Sequence, residues 1–147
     1  MIRRALAHDA AAIEGLYREL VSDPLVSILP EQVAALAEST SSFLLVAESS
    51  GTICGSALLN ICPDVMYRQQ PFGVIENVVV AKVRRGTGIG GMLLAHIEQL
   101  ALDRDCTKLM LLSGASRMEA HAFFRRCGFY GDTKNAFVKY RRQFALS

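Results

Sequence analysis

The sequence predicts an α/β domain built on a mixed, mostly antiparallel sheet with helices on both faces. Three observations predict it. Gly73 to Val80 is β-branched and almost continuously apolar, as expected of a strand buried on both faces. Phe43 to Ala47 and Thr52 to about Asn60 are joined by the turn Ser49-Ser50-Gly51, which makes an antiparallel hairpin. The strand-helix-strand unit from Val74 to Leu112 requires a parallel pair, because a helical crossover returns the chain in the same direction.

The remaining elements follow in order. Ile2 to Arg4 reads as a short first strand, and Asp9 is placed to cap a helix carrying Ile13, Leu16, Tyr17 and Leu20 on one face and ending before Pro24. Pro30 suits the first turn of a second helix with Val33, Leu36 and Ala37 turned inward. Pro63 to Pro71 reads as a polar loop. Ile89, Met92, Leu93, Ile97, Leu100 and Ala101 recur at helical spacing between Gly88 and Arg104, and Lys108 to Leu112 is another central strand. Arg117 to Arg126 reads as a helix closed by Gly128, and Ala136 to Phe144 as a final strand.

Residues 1–147, with 51% hydrophobic content, suit one domain with a sizeable core. Sixteen basic and fourteen acidic residues leave a formal net charge of only +2, which argues against a nucleic-acid binder working by phosphate neutralisation. Cys54, Cys62, Cys106 and Cys127 form no pair or histidine cluster of metal-site spacing and read as ordinary buried thiols, so no metal is expected. The opening residues lack a secretory pattern and no apolar run is long enough to cross a bilayer, so the expected compartment is the cytoplasm, with no membrane partner. A homodimer is compatible with the composition.

Arg85-Gly86-Thr87-Gly88-Ile89-Gly90-Gly91 falls between a central strand and a helix start, where backbone N–H groups lack intrahelical partners. Glycines admit a phosphate close to that backbone, and the helix dipole with Arg84 or Arg85 adds positive potential. A flexible turn is the bland alternative, but a glycine in a first helical turn costs roughly 1 kcal/mol relative to alanine. Four glycines lie within residues 86–91. Gly86, Gly88 and Gly91 also satisfy GxGxxG. A dinucleotide fold, however, places its glycines directly after the strand and ends the next strand in an acid, whereas here residues 81–85 intervene and the next strand runs into Leu112-Ser113-Gly114. A P-loop is excluded because no Gly-Lys-Ser or Gly-Lys-Thr follows.

With Arg85, Gly88 and Gly90 at these spacings, the segment resembles the signature of the GNAT superfamily of N-acetyltransferases: Gln or Arg, two residues, Gly, one residue, then Gly or Ala. The resemblance extends to Ile75-Glu76-Asn77-Val78-Val79-Val80 upstream and to the run from Arg117 to Phe129 downstream. It implies a sheet splayed between the strands at Val74 to Val80 and Lys108 to Leu112, with acetyl-coenzyme A in the opening. Backbone groups of Val78, Val79 and Val80 would pair with the pantetheine arm. Arg85, Gly86, Thr87, Gly88, Ile89, Gly90 and Gly91 would hold the pyrophosphate, and Arg117 stands where relatives often carry an Asn touching the arm. An N–H near Val78 to Val80 would stabilise the thioester oxyanion, a contact worth roughly 3 kcal/mol.

An alkyl amine is mostly protonated at neutral pH and needs a base before it attacks a thioester. Glu76, an acid in an apolar strand, is the catalytic candidate, placed by two-residue alternation on the same face as Val78 and Val80. Its alternatives are a structural ion pair or the binding of a cationic acceptor. The tyrosine that commonly protonates the departing thiolate in the resembled family is replaced by Phe124, leaving Tyr130, Tyr67, water or no acid. His121 reads as structural, and Cys127 lacks the base a nucleophile needs. The resemblance implies an N-acetyltransferase acting on a primary amine of a small molecule. A protein acetyltransferase and a non-catalytic acetyl-coenzyme A sensor are the alternatives.

Overall fold

In the computed structural model, which describes residues 1–145, the chain falls into two compact units, one running from Met1 to Leu111 and the other beginning at Leu112. The last two positions of the expected 1–147 domain, Leu146 and Ser147, lie outside the described residues.

The first unit carries β1 (Ile2–Arg4), α1 (Ala10–Leu20), α2 (Pro30–Ala37), β2 (Ser42–Ser49), β3 (Thr52–Cys62), β4 (Phe72–Val80), α3 (Ile89–Asp103) and β5 (Leu109–Leu111). The five strands form one sheet in chain order, antiparallel from β1 to β4 and parallel between β4 and β5. Ser50 and Gly51 both take positive φ (51° and 76°), the two-residue turn whose twist matches a hairpin.

Helices cover both faces. Ala5, Ala10, Ile13, Val33, Leu44 and Val46 make a buried cluster on the α1 and α2 side, with Tyr17, Leu36 and Leu58 packed against it. On the other side a Cβ added at Gly55 would meet Ile89 and Leu93 of α3 at 3.1 and 3.2 Å, so Gly55 lets α3 approach the sheet closely. Leu93, Leu94, Ile97 and Ala101 are buried there, whereas Met92, which the spacing turned inward, is half exposed.

Two further expectations are corrected. Asp9 precedes α1 but makes no cap bond to it. Its carboxylate, only 3% exposed, instead accepts both Arg3 Nη1 (2.8 Å) and Nη2 (3.0 Å), together with the N–H of Leu6 (2.8 Å). A buried carboxylate is stabilised far more by a bidentate guanidinium than by one helix-end amide. Of the four cysteines only Cys54 is buried; Cys62, Cys106 and Cys127 are partly exposed, and all four are free thiols.

The second unit contains α4 (Met118–Arg126), closed by Gly128 at φ 93°. The N–H of Phe129 reaches Phe124 O and that of Gly128 reaches Arg125 O, each at 3.0 Å, the paired bonds of a Schellman stop. The strand expected over Ala136 to Phe144 does not form. Arg141–Gln143 is a 3-10 turn, Tyr140 N–H donates to Gln143 Oε1 at 2.9 Å, and Arg142 lies over the Tyr140 ring at 5.0 Å. Local side-chain bonding there satisfies backbone that a ladder would otherwise need.

Candidate active site

The parallel pairing of β4 with β5 covers only Gly73 to Ile75 against Leu109 to Leu111. From Glu76 onward β4 has β3 as its one strand neighbour among the described residues. The register against β3 also slips there. Glu76 faces Leu58 and Val79 faces Ser56, so two residues of β4, Asn77 and Val78, stand opposite the single Ala57. Asn77 takes φ 56°, a left-handed conformation that asparagine tolerates better than most residues. The strand therefore carries a bulge directly after Glu76, at the place where its parallel partner is lost.

This bulge overturns the expected alternation. Paired residues point to the same face of a sheet, so Glu76 shares the α1 and α2 side with Leu58. Val80 pairs with Gly55 and so lies on the α3 side. Glu76 and Val80 thus face opposite ways, and Val79 takes the place opposite Ser56, next to Glu76 on that face, that alternation had given to Val78. Glu76 itself is half-buried, and among the described residues no hydrogen bond or ion pair engages its carboxylate. A structural pairing with arginine is accordingly not what keeps it in the strand.

Sequence reasoning placed Tyr17 on the inward face of α1 but missed that it reaches the bulge of β4. Its ring packs on the α1 side core, and its hydroxyl is turned to the side chains of Asn77 and Ser56. Burial pushes the phenol above its usual range, and the neighbouring Asn77 and Ser56 side chains pull it part of the way back. The available signal was Asn77, a turn-forming residue inside an otherwise β-branched strand.

Beyond β4 the chain turns through Lys82–Arg84 and reaches α3, whose N-cap is Gly88. Gly86 and Gly88 have φ of 78° and 89°, conformations that require glycine, and a Cβ added at Gly86, Gly88 or Gly91 would meet nothing within 4 Å. Open space therefore lies in front of this backbone. The N–H groups of Gly86, Thr87 and Gly88 find no protein acceptor among the described residues, and the first amides of a helix never have intrahelical ones. Free donors, a helix start and room in front of them fit a phosphate group.

The two arginines here divide their work. Arg84 Nη2 donates to Ser49 Oγ at 2.9 Å and fastens the turn to the β2–β3 hairpin. Arg85 is exposed and, among the described residues, engaged only through Nε, which donates to Val80 O at 3.2 Å. Arg85 is thus the guanidinium with donors to spare, and Thr87 Oγ1 closes the turn onto Arg84 O.

In the second unit Arg117 is the N-cap of α4, and its carbonyl accepts the N–H of His121 at 3.0 Å. His121 Nε2 lies 2.8 Å from Gly114 O, and since a carbonyl only accepts, Nε2 carries the proton. That bond ties the helix to the preceding turn and supports a structural histidine. Phe124 is buried, with Phe123 at 5.3 Å and Phe129 edge-on at 6.3 Å between ring centroids. Tyr67 and Tyr130 are exposed, at 57% and 83%. Among the described residues no group of His, Cys, Asp and Glu is arranged to hold a metal, and no helix is long and apolar enough to cross a membrane.

An α/β fold with a parallel pair that parts beside a bulge, followed by a glycine turn at a helix start, is the arrangement that the resemblance to an acyltransferase implied. Residues 13–129 match the model of the acetyltransferase (GNAT) family, and the chain belongs to that family. It is 31% identical over 133 residues to an aminoglycoside N(6')-acetyltransferase type 1 of Stenotrophomonas maltophilia, covering 87% of this chain and 84% of that one. A glucosamine 6-phosphate N-acetyltransferase of Trypanosoma brucei brucei is 32% identical over 82 residues, 56% of this chain and 54% of that one. Among solved structures, a putative acetyltransferase from Agrobacterium tumefaciens superposes with a TM-score of 0.85 at 30% identity, covering 95% of this chain and 99% of the other. The protein is therefore an acyltransferase enzyme, and enzymes of its family take acetyl-coenzyme A as donor.

Proposed function

We propose that this enzyme moves the acetyl group of acetyl-coenzyme A directly to the primary amine of a small molecule, with an amino sugar as the acceptor class and 1–147 acting as one acetyltransferase domain. The observation that carries the donor assignment is the glycine turn, with its unpaired amides and open front at Gly86, Gly88 and Gly91. The family match across residues 13–129 supports the single domain. The acceptor class rests on the two relatives, one named for an aminoglycoside and the other for glucosamine 6-phosphate.

In this reading Arg85 to Gly91 hold the pyrophosphate, and Val78 to Val80 offer backbone groups to the pantetheine arm. Glu76 takes the proton of the acceptor ammonium, directly or through water, and the freed nitrogen lone pair attacks the thioester carbon. Negative charge passes to the carbonyl oxygen, which an N–H of the bulged strand stabilises. The C–S bond then breaks, the electron pair leaves with sulfur, and the nitrogen's surplus proton passes through water to the departing thiolate, leaving a neutral amide and the free thiol. A thiolate whose conjugate acid has a pKa of about 8.5 departs without a strong acid, so Phe124 in place of a proton donor does not stop turnover. Two features support Glu76 as base: its carboxylate is unpaired among the described residues, and it adjoins the bulge.

The test is thiol release from acetyl-coenzyme A with a panel of amino sugars, aminoglycosides, polyamines and lysine peptides. Turnover on amino sugars well above the other amines is expected. Turnover confined to peptides would assign the protein to protein acetylation instead.

A further inference from the structure

The half of β4 that carries the bulge has lost its neighbour on one side, so something else must hold it and the turn that follows. The C-terminal turn of α1 does so at two points. Tyr17 meets Asn77 at the bulge, and the carboxylate of Glu19 accepts the N–H of Lys82 at 2.8 Å, at the first residue of the turn that leads to the glycines. Both contacts join residues more than fifty positions apart and lie within the first unit. Glu19 is exposed, near the end of an amphipathic helix, and has no packing reason to be acidic.

Resting on the acetyl-coenzyme A reading above, we propose that Glu19 is a positioning residue for the donor's pyrophosphate. By fixing the N–H of Lys82, it sets where the turn Lys82–Arg84 begins, and thereby where the amides of Gly86 to Gly91 point. The sign of its charge sharpens this argument. A carboxylate beside an anion-binding turn repels the ligand, so whatever Glu19 contributes to binding must come through the geometry it imposes rather than through its field. Those two contributions have opposite signs and can be separated by substitution.

Glu19→Ala removes both the charge and the acceptor oxygen, whereas Glu19→Gln removes the charge and keeps an acceptor oxygen at the same reach. Dissociation constants are measured by calorimetry for acetyl-coenzyme A and for S-acetylpantetheine, which lacks the pyrophosphate, with saturating turnover measured alongside. Glu19→Ala is expected to weaken acetyl-coenzyme A about three- to tenfold, the range of one lost hydrogen bond, with S-acetylpantetheine and saturating turnover unchanged. Glu19→Gln is expected to bind acetyl-coenzyme A as wild type does, or more tightly. Tighter binding by Glu19→Ala would mean that only the charge acts, and equal weakening of both donors would mean a general structural role. Either result overturns the proposal, as does unchanged binding in both variants while wild type binds. Wild-type protein that binds no acetyl-coenzyme A overturns instead the donor reading on which the proposal rests.

Discussion

Glu76 is an acid retained in an apolar strand without a described partner, and its substitution separates chemistry from binding. Glu76→Gln is expected to lower saturating turnover by roughly 10²-fold while the dissociation constant for acetyl-coenzyme A stays within twofold. The deficit should shrink as pH rises, because free amine and hydroxide take over the deprotonation. A rise in the Michaelis constant alone would make the residue a binding group for a cationic acceptor. At Gly88, where φ is 89° and the space in front is open, a valine would strain the turn and project into the space proposed for the pyrophosphate. Gly88→Val is expected to weaken acetyl-coenzyme A at least tenfold in calorimetry, about 1.4 kcal/mol.

At the scale of the element, the bulge in β4 sets which side chains face the α1 and α2 side of the sheet. Asn77 holds φ 56°, so Asn77→Gly should keep the slip in register and leave kcat/KM within a few-fold of wild type. Asn77→Val places a β-branched residue in a left-handed conformation at a cost of about 1 to 2 kcal/mol. The expected result is a lower melting temperature and a larger fall in kcat/KM than the glycine variant shows. A fully active valine variant would mean that the strand runs straight there. The element also shows why the alternation reading failed. Period-two reasoning holds only while both strands advance together, and Asn77 signals an irregularity in the strand without reporting that Ala57 would face two residues.

For the molecule as a whole, the buried pair of Arg3 and Asp9 ties β1 to the approach of α1 and links stability to pH. The Arg3 guanidinium holds the Asp9 carboxyl below its usual range, more than offsetting burial. The unfolded value is near 3.9, so the contribution is complete above that pH and is lost as pH falls through the folded-state pKa beneath it. Asp9→Asn is expected to cost about 3 kcal/mol near neutral pH, read from urea melts, with the difference from wild type closing below about pH 4.

What the sequence by itself determined lies where the signal is local. The hairpin turn at Ser50 and Gly51, the stop at Gly128, the buried faces of α1 and α3 and the glycine turn at Gly86 to Gly91 were all legible, because backbone dihedrals and helical periodicity are properties of neighbouring residues. Only the tertiary structure decided the rest. It placed Asp9 on Arg3 rather than on the helix, gave Arg84 to Ser49 and Arg85 Nε to Val80 O, and brought Tyr17 and Glu19 of α1 to β4 and the turn beyond it. It also left 136–144 without the strand that its pattern predicted. In each case the outcome depends on which partner a polar group or strand edge meets across tens of residues, and that competition is settled by packing and burial rather than by local propensity.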